Sequence, residues 1–264
     1  MSRQYEKKIE IAASPEKVWE ALSTADGVAS WFAPIVKVEP GVGGTISGTW
    51  VEGMEGGGQN IAIWEPGKHL QLTADRAPGK PPSVIDYFIE SQGGGTTMLR
   101  LVHSGFEDGA DFDNEFNSYT GAWPVFMLML KASAEQGIAA VRNIAVFRML
   151  NEPRPESWKK LTGPDGLCAE GSLENLQPGA AFRIRTSDGE LLEGKVRHLD
   201  NVGCCMLELA NSTFCIFCER CGGKSMLTLH LQLFGASAEK ANEVRDRWGS
   251  RVDRWFGLSK QAEA

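Results

Sequence analysis

Trp19-Glu20-Ala21-Leu22-Ser23-Thr24-Ala25-Asp26-Gly27-Val28 lines up without gaps on Trp158-Lys159-Lys160-Leu161-Thr162-Gly163-Pro164-Asp165-Gly166-Leu167. Further matches follow in the same order. Pro40-Gly41 matches Pro178-Gly179. With one deletion, Gly93-Gly94-Gly95-Thr96-Thr97-Met98-Leu99-Arg100-Leu101 matches Gly222-Gly223-Lys224-Ser225-Met226-Leu227-Thr228-Leu229. Each half then ends in a Trp-bearing helical pattern, with Trp123 in the first and Trp248 and Trp255 in the second. Agreement in order over most of the length predicts a tandem duplication. The 264 residues suit two domains of about 130 each. The predicted division is 1–137 and 138–264.

The matched stretch starts a helix in each half. Ser14-Pro15-Glu16-Lys17 offers an N-cap, a proline suited to the first helical position and an acid near the positive helix end. Val18, Trp19, Ala21 and Leu22 form the predicted buried stripe, and the helix is expected to stop near Asp26-Gly27. Before it, residues 7–12 alternate with Ile9 and Ile11 on one face, the pattern of a half-buried strand. After it comes an aromatic turn, Trp31-Phe32-Ala33-Pro34. Residues 45–52, 60–65, 69–74, 83–91 and 96–103 then read as strands, parted by turns at 53–58, 65–67, 77–82 and 93–95. This is the spacing of an antiparallel meander. A long helix over about 113–135 closes the unit, with Phe116, Tyr119, Trp123, Phe126, Met127 and Leu130 three or four residues apart. In the second half, 141–149 reads as a strand, 155–161 as a short helix and 238–258 as the closing helix. The fold class is α+β, an antiparallel sheet with a long C-terminal helix, twice.

Composition removes several functions. The net charge is −7, whereas a nucleic-acid site needs a basic face. No apolar run approaches the roughly 18 residues of a membrane span. Residues 1–10 are charged and lack the apolar core of a signal peptide, so the expected compartment is the cytoplasm. Of six cysteines, five lie between Cys204 and Cys221. Cys215, Cys218 and Cys221 make overlapping Cys-x-x-Cys spacings, but Thr213 to Glu219 reads as a strand, which puts Cys215 and Cys218 on opposite faces. They are read as buried reduced thiols in preference to a metal or redox site. His69, His103, His198 and His230 form no metal-like pair. The glycine runs 53–58 and 93–95 carry no Gly-Lys-Ser/Thr and are hairpin loops. No metal and no cofactor are expected.

One family matches these residues. Ile9-Glu10-Ile11-Ala12-Ala13-Ser14-Pro15-Glu16-Lys17-Val18-Trp19-Glu20-Ala21-Leu22, then Trp31-Phe32, then Gly93-Gly94-Gly95-Thr96, carry the resemblance. Leu99-Arg100-Leu101-Val102-His103-Ser104-Gly105-Phe106 and the helix with Gly121-Ala122-Trp123 continue it. Over about residues 3–137 the chain resembles the family named after the activator of the heat-shock chaperone ATPase, within the START-like, helix-grip superfamily. The resemblance implies a sheet wrapped on the last helix with a cavity between them. It also implies hydrophobic ligand binding or a chaperone partner. The second half departs from the pattern: it lacks Trp-Phe after its first helix, and His230-Leu231-Gln232-Leu233-Phe234-Gly235 stands in place of the His-Ser-Gly-Phe segment. Its last helix is also more charged, so it is read as a divergent copy.

The candidate cavity lies in the first half. Strand alternation puts Leu99, Leu101 and His103 on one face, and Ile85, Tyr87 and Ile89 on the matching face of the preceding strand. Trp31, Phe32, Trp50, Phe106, Tyr119, Trp123 and Met127 complete the candidate wall. An apolar pocket with a few polar groups is the usual small-molecule site. The alternative is a filled core. The leading expectation is a binding protein for a small apolar or amphipathic ligand, with no assignable catalytic residue. A chaperone-interaction module rests on the resemblance. A cyclase- or hydrolase-like enzyme using Tyr87 and His103 requires a partnered base, which the sequence does not name. The acids Glu107, Asp108, Asp111, Asp113 and Glu115 are read as a solvated cluster near a helix N-terminus.

Overall fold

Period-2 alternation and tight glycine turns fold each half of the chain into a meander, and the 3.6-period segment after it lies across the sheet. The structure, a computed structural model, describes residues 3–50, 57–200 and 203–258. The chain divides into two units, Met1–Asn143 and Ile144–Ala264.

The first unit runs β1 (Arg3–Ile11), α1 (Pro15–Ser23), α2 (Ala25–Ala29), β2 (Ile35–Val38), β3 (Thr45–Thr49), β4 (Gly58–Glu65) and β5 (His69–Ala74). It continues with β6 (Ser83–Gly93), β7 (Thr96–Phe106) and α3 (Ala110–Gln136). The sheet order is β1-β7-β6-β5-β4-β3-β2, so the first strand closes on the last. In register, Ile85 faces His103 and Tyr87 faces Leu101 across β6 and β7. The inward face carries Leu70, Leu72, Ile85, Tyr87, Leu99 and Leu101, all buried. α3 crosses this face, with Trp123, Met127 and Leu130 buried. At the start of α3, Arg3 donates to Asp113 (2.7 Å) and Arg76 donates to Glu115 (2.8 Å). Two of the acids expected to be merely solvated thus tie the helix to the sheet.

Local differences from the sequence reading have local causes. The Asp26-Gly27 pair does not stop a helix; it lies in α2. Thr24 ends α1 and its hydroxyl accepts from the Gly27 amide at 3.0 Å, which starts the second helix. A Cβ at Gly27 would sit 2.0 Å from the Glu20 carbonyl oxygen, so only glycine permits this close turn. Ser14 holds the N-cap position of α1 without capping a backbone amide. Its hydroxyl bonds the Glu16 carboxylate instead, which lowers the pKa of that acid. β2 is an edge strand of four half-exposed residues, too short for alternation to show. The expected strand over 45–52 is formed as far as Thr49, and residues 51–56 of the expected strand and hairpin loop lie outside the described residues.

The second unit contains β8 (Val141–Leu150), α4 (Arg154–Thr162), β9 (Ala181–Arg185), β10 (Leu191–Leu199), β11 (Cys204–Leu209), β12 (Ser212–Cys221), β13 (Lys224–Phe234) and α5 (Ala238–Phe256). Its sheet order, β8-β13-β12-β11-β10-β9, repeats the first sheet without a counterpart of β2. The tandem helix-grip architecture is therefore present in both units. The repetition reaches single hydrogen bonds. Thr97 at the start of β7 donates to the Ala13 carbonyl at 2.7 Å, and Ser225 at the start of β13 donates to the Glu152 carbonyl at 3.0 Å. Both hydroxyls are fully buried and lock the segment between first strand and first helix. A Cβ at Gly166, aligned with Gly27, would likewise sit 2.3 Å from a carbonyl oxygen, that of Leu161.

The space under α5 holds large side chains. Trp248 packs on Phe214 at 4.6 Å and on Trp255 at 6.1 Å, within a core that includes Leu161, Leu227, Leu229 and Leu231. The charges of α5 are not all on its outer face. Arg251 is 5% exposed, donates to Asp188 at 2.7 Å, contacts Glu190 and stacks on Trp248. A buried arginine survives only when paired in this way. No helix among the described residues is long and apolar enough to cross a membrane.

Candidate functional site

The first unit keeps an open space between sheet and α3, a cavity of about 270 Å³. Alternation along the strands supplies Ile46 and Gly48 from β3, Leu72 and Ala74 from β5, and Ile85 and Tyr87 from β6. Helical spacing supplies Tyr119, Ala122, Trp123 and Phe126 from α3. Leu22 and Val28 close one side, with Trp31, Phe32 and Trp50 beside them. Gly57, Gly58 and Gln59 lie along the start of β4.

The aromatic wall is held in place from behind. The Trp31 indole N–H donates to the Ala21 carbonyl at 2.8 Å. Phe32 packs edge-on to Trp50 at 4.9 Å and against Phe126 at 5.2 Å. A Cβ on Gly48 would stand 2.9 Å from the Ala33 methyl and 3.3 Å from the Phe32 ring, so glycine lets that ring lie on the strand. Pro124 sits inside α3 and cannot donate to the carbonyl four residues before it. The helix is thus weakened beside Trp123 and Phe126, two of the three aromatic residues that it presents to the cavity.

His103 is fully buried and both of its nitrogens are occupied. Nδ1 accepts from the Trp123 indole N–H at 3.0 Å, so Nε2 carries the proton and donates to Ser83 Oγ at 2.7 Å. Burial, with the nearby Arg76 charge adding to it, holds the imidazole down at about 3. It is a neutral structural residue over the physiological range, positions Trp123, and is not in the cavity wall. The general base that the enzyme alternative assigned to His103 is therefore not available.

Tyr87 is 3% exposed and lines the cavity, its ring edge-on to Trp123 at 6.4 Å. Among the described residues its hydroxyl has no hydrogen-bond partner. Burial raises its pKa, so it remains a neutral phenol able to donate and accept.

Of the candidate residues, Trp31, Phe32, Trp50, Ile85, Tyr87, Tyr119 and Trp123 meet at the cavity. Ile89, Leu99, Leu101, His103, Phe106 and Met127 are buried but stand outside its lining. The sequence reading missed Leu22, Val28, Ile46, Leu72, Ala74, Ala122 and Phe126 as wall residues. Period-2 alternation on β3 and β5, applied with the same weight as on β6, would have found three of them, Ile46, Leu72 and Ala74.

The cysteines offer no comparable site. Cys168, Cys204, Cys205, Cys215 and Cys218 are buried and Cys221 is exposed. Cys205 and Cys218 lie in the core on one face of the sheet, and Cys215 faces the other way, opposite Met206 in register. Burial pushes the Cys168 and Cys218 thiols up to about 11 and raises the other three buried thiols well above their ordinary value. Such thiols are inert. Among the described residues no group of three His, Cys, Asp or Glu side chains is placed to hold a metal ion.

The sequence profile of the activator of Hsp90 ATPase homolog 1-like proteins matches residues 12–135. These residues span α1 to the end of α3 and so contain the whole cavity. Over these residues the first unit is similar to this family. Solved structures similar to the chain include the Aha1 dimer of Colwellia psychrerythraea, 29% identical, covering 50% of this chain and 96% of that one with a TM-score of 0.42. Protein MLL2253 of Mesorhizobium loti is 26% identical over 49% of this chain and 95% of its own, with a TM-score of 0.42. The di-domain ARO/CYC BexL of the BE-7585A biosynthetic pathway is 14% identical, covers 99% of each chain and gives a TM-score of 0.46. Among curated proteins none matches the chain.

Proposed function

We propose that this protein binds a small apolar or amphipathic molecule in the cavity of its first domain, and that the second domain is a structural copy without that role. One observation carries the reading: a first domain that retains about 270 Å³ of space behind a wall of aromatic side chains. Cavities this size fall near the lower end of small-molecule sites, which points to a compact ligand. The Trp123–His103–Ser83 chain supports binding over catalysis, since it uses up the one histidine near the cavity in fixing the wall. In the second unit Trp248 packs on Phe214 under the closing helix.

Displacement of a fluorescent apolar probe, with native mass spectrometry of the complex, tests the proposal. Ala122→Phe places a ring into the space and should abolish binding while leaving the thermal transition near that of the parent. No binding by the parent protein would sink the idea.

The family match favours a second reading, in which the same domain assists a chaperone ATPase. A pull-down with the purified chaperone separates the two, because Ala122→Phe should leave a surface interaction intact.

A further inference from the structure

Resting on the cavity-binding reading, we propose that the ligand is an uncharged, flat aromatic molecule whose hydroxyl or carbonyl oxygen is held by the Tyr87 hydroxyl deep in the cavity. Three observations lead there. First, among the described residues the lining contains no Lys, Arg, His, Asp or Glu. A carboxylate, phosphate or ammonium entering it meets no countercharge, and an unpaired charge in an apolar site is strongly disfavoured. Second, the wall is flat-sided. Trp31, Phe32, Trp50, Trp123 and Phe126 present rings and edges, which reward stacked or edge-on contact with another ring. Third, the polar groups are few and mostly committed. The Trp31 and Trp123 N–H groups already donate to Ala21 and His103. Gln59 is half-buried on β4 and Tyr119 is 37% exposed on α3. Tyr87 alone combines near-complete burial with a hydroxyl that no described residue satisfies.

Tyr87 lines the cavity, so a ligand held against it there can take up the bonding capacity of its hydroxyl. The group can donate to a carbonyl oxygen and can accept from a phenol, but as a neutral phenol it cannot balance a full negative charge. The size agrees. A space of about 270 Å³ equals the liquid volume of about nine waters, which is the scale of a fused bicyclic ring with one substituent.

Titration of the full chain at pH 7 with naphthalene, 2-naphthol and 2-naphthoate tests the proposal. The three share one ring system and differ only in their polar end. The expected order is 2-naphthol tightest, then naphthalene, with 2-naphthoate weaker than 2-naphthol by about tenfold or more. Tyr87→Phe should weaken 2-naphthol by about tenfold and leave naphthalene within about twofold. Ala122→Phe should abolish all three, which fixes the site. Binding of 2-naphthoate as tight as 2-naphthol overturns the proposal, and so does an equal loss for all probes in Tyr87→Phe. If naphthalene and 2-naphthoate bind but 2-naphthol gains nothing, the cavity reading stands and this inference falls. If none of the three binds, the cavity reading itself falls. The comparison among the three probes on the parent protein holds even if the Tyr87 variant does not fold.

Discussion

Lowering the pH from 7 to 5 should cost the first domain about 2 kcal/mol through one residue, His103. The imidazole is fully buried, donates to Ser83, accepts from Trp123 and packs on Phe106 and Tyr119. The charged group facing it is Arg76, which disfavours a second positive charge. Its folded pKa is about 3, while a histidine in the unfolded chain titrates near 6.5. Between those values the unfolded chain holds a proton that the native chain does not, so stability rises with pH. The contribution is fully present above about 6.5 and is lost as pH falls, at about 1.4 kcal/mol per unit, until about pH 3. At pH 5 the native imidazole is neutral for any folded value below about 4, so the figure of about 2 kcal/mol does not depend on the last unit of the shift. His230 in the second unit is also held down at about 3 by burial, and contributes a similar loss there. Comparison with His103→Gln separates the two, because glutamine keeps a donor and an acceptor but does not titrate. Urea unfolding at pH 7 and pH 5 is the assay, and the pH-dependent loss should shrink by about 2 kcal/mol in the variant. An unchanged loss would show that His103 takes up its proton in the folded state and would refute the buried, neutral assignment.

Thr97→Val and Ser225→Ala should each cost about 1–2 kcal/mol, because each leaves one loop carbonyl, Ala13 or Glu152, short of a buried donor. Similar losses, measured by urea unfolding, are expected from the two if the repeats use the bond alike. A thiol reagent at pH 8 should modify Cys221 at once and Cys168, Cys204, Cys205, Cys215 and Cys218 only after unfolding; rapid reaction of two or more thiols in the native protein would contradict their burial. Gly105→Ala should lower stability by about 2 kcal/mol or more. Gly105 has φ +88°, a Cβ there would lie 2.0 Å from the Pro82 carbonyl oxygen, and its own carbonyl accepts from Arg76. A thermal shift within one degree of the parent would show that the β7 end relaxes freely.

The ordered matches from Trp19 and Trp158 onward determined the duplication, since equal helices, turns and strand spacings are local properties that survive in one dimension. The α+β class, the meander and the closing helices follow from periods of 2 and 3.6, which a chain cannot hide. The family resemblance lay in contiguous segments for the same reason. The short edge strand β2 and the break between α1 and α2 were not legible, because four half-exposed residues carry no period and a threonine cap works through one hydroxyl. The cavity wall was legible only in part. Alternation tells which face a residue is on, and so Ile85, Tyr87, Leu99 and Leu101 were all placed inward. Which inward residues meet a void and which meet each other depends on where α3 crosses the sheet. That crossing put Ile85 and Tyr87 at the cavity and left Leu99, Leu101 and His103 in the packed core. The role of His103 was likewise decided in three dimensions, by an indole N–H twenty residues away in sequence and a serine on the neighbouring strand. Sequence determined the faces; only the packing of helix on sheet decided which part of one face was left open.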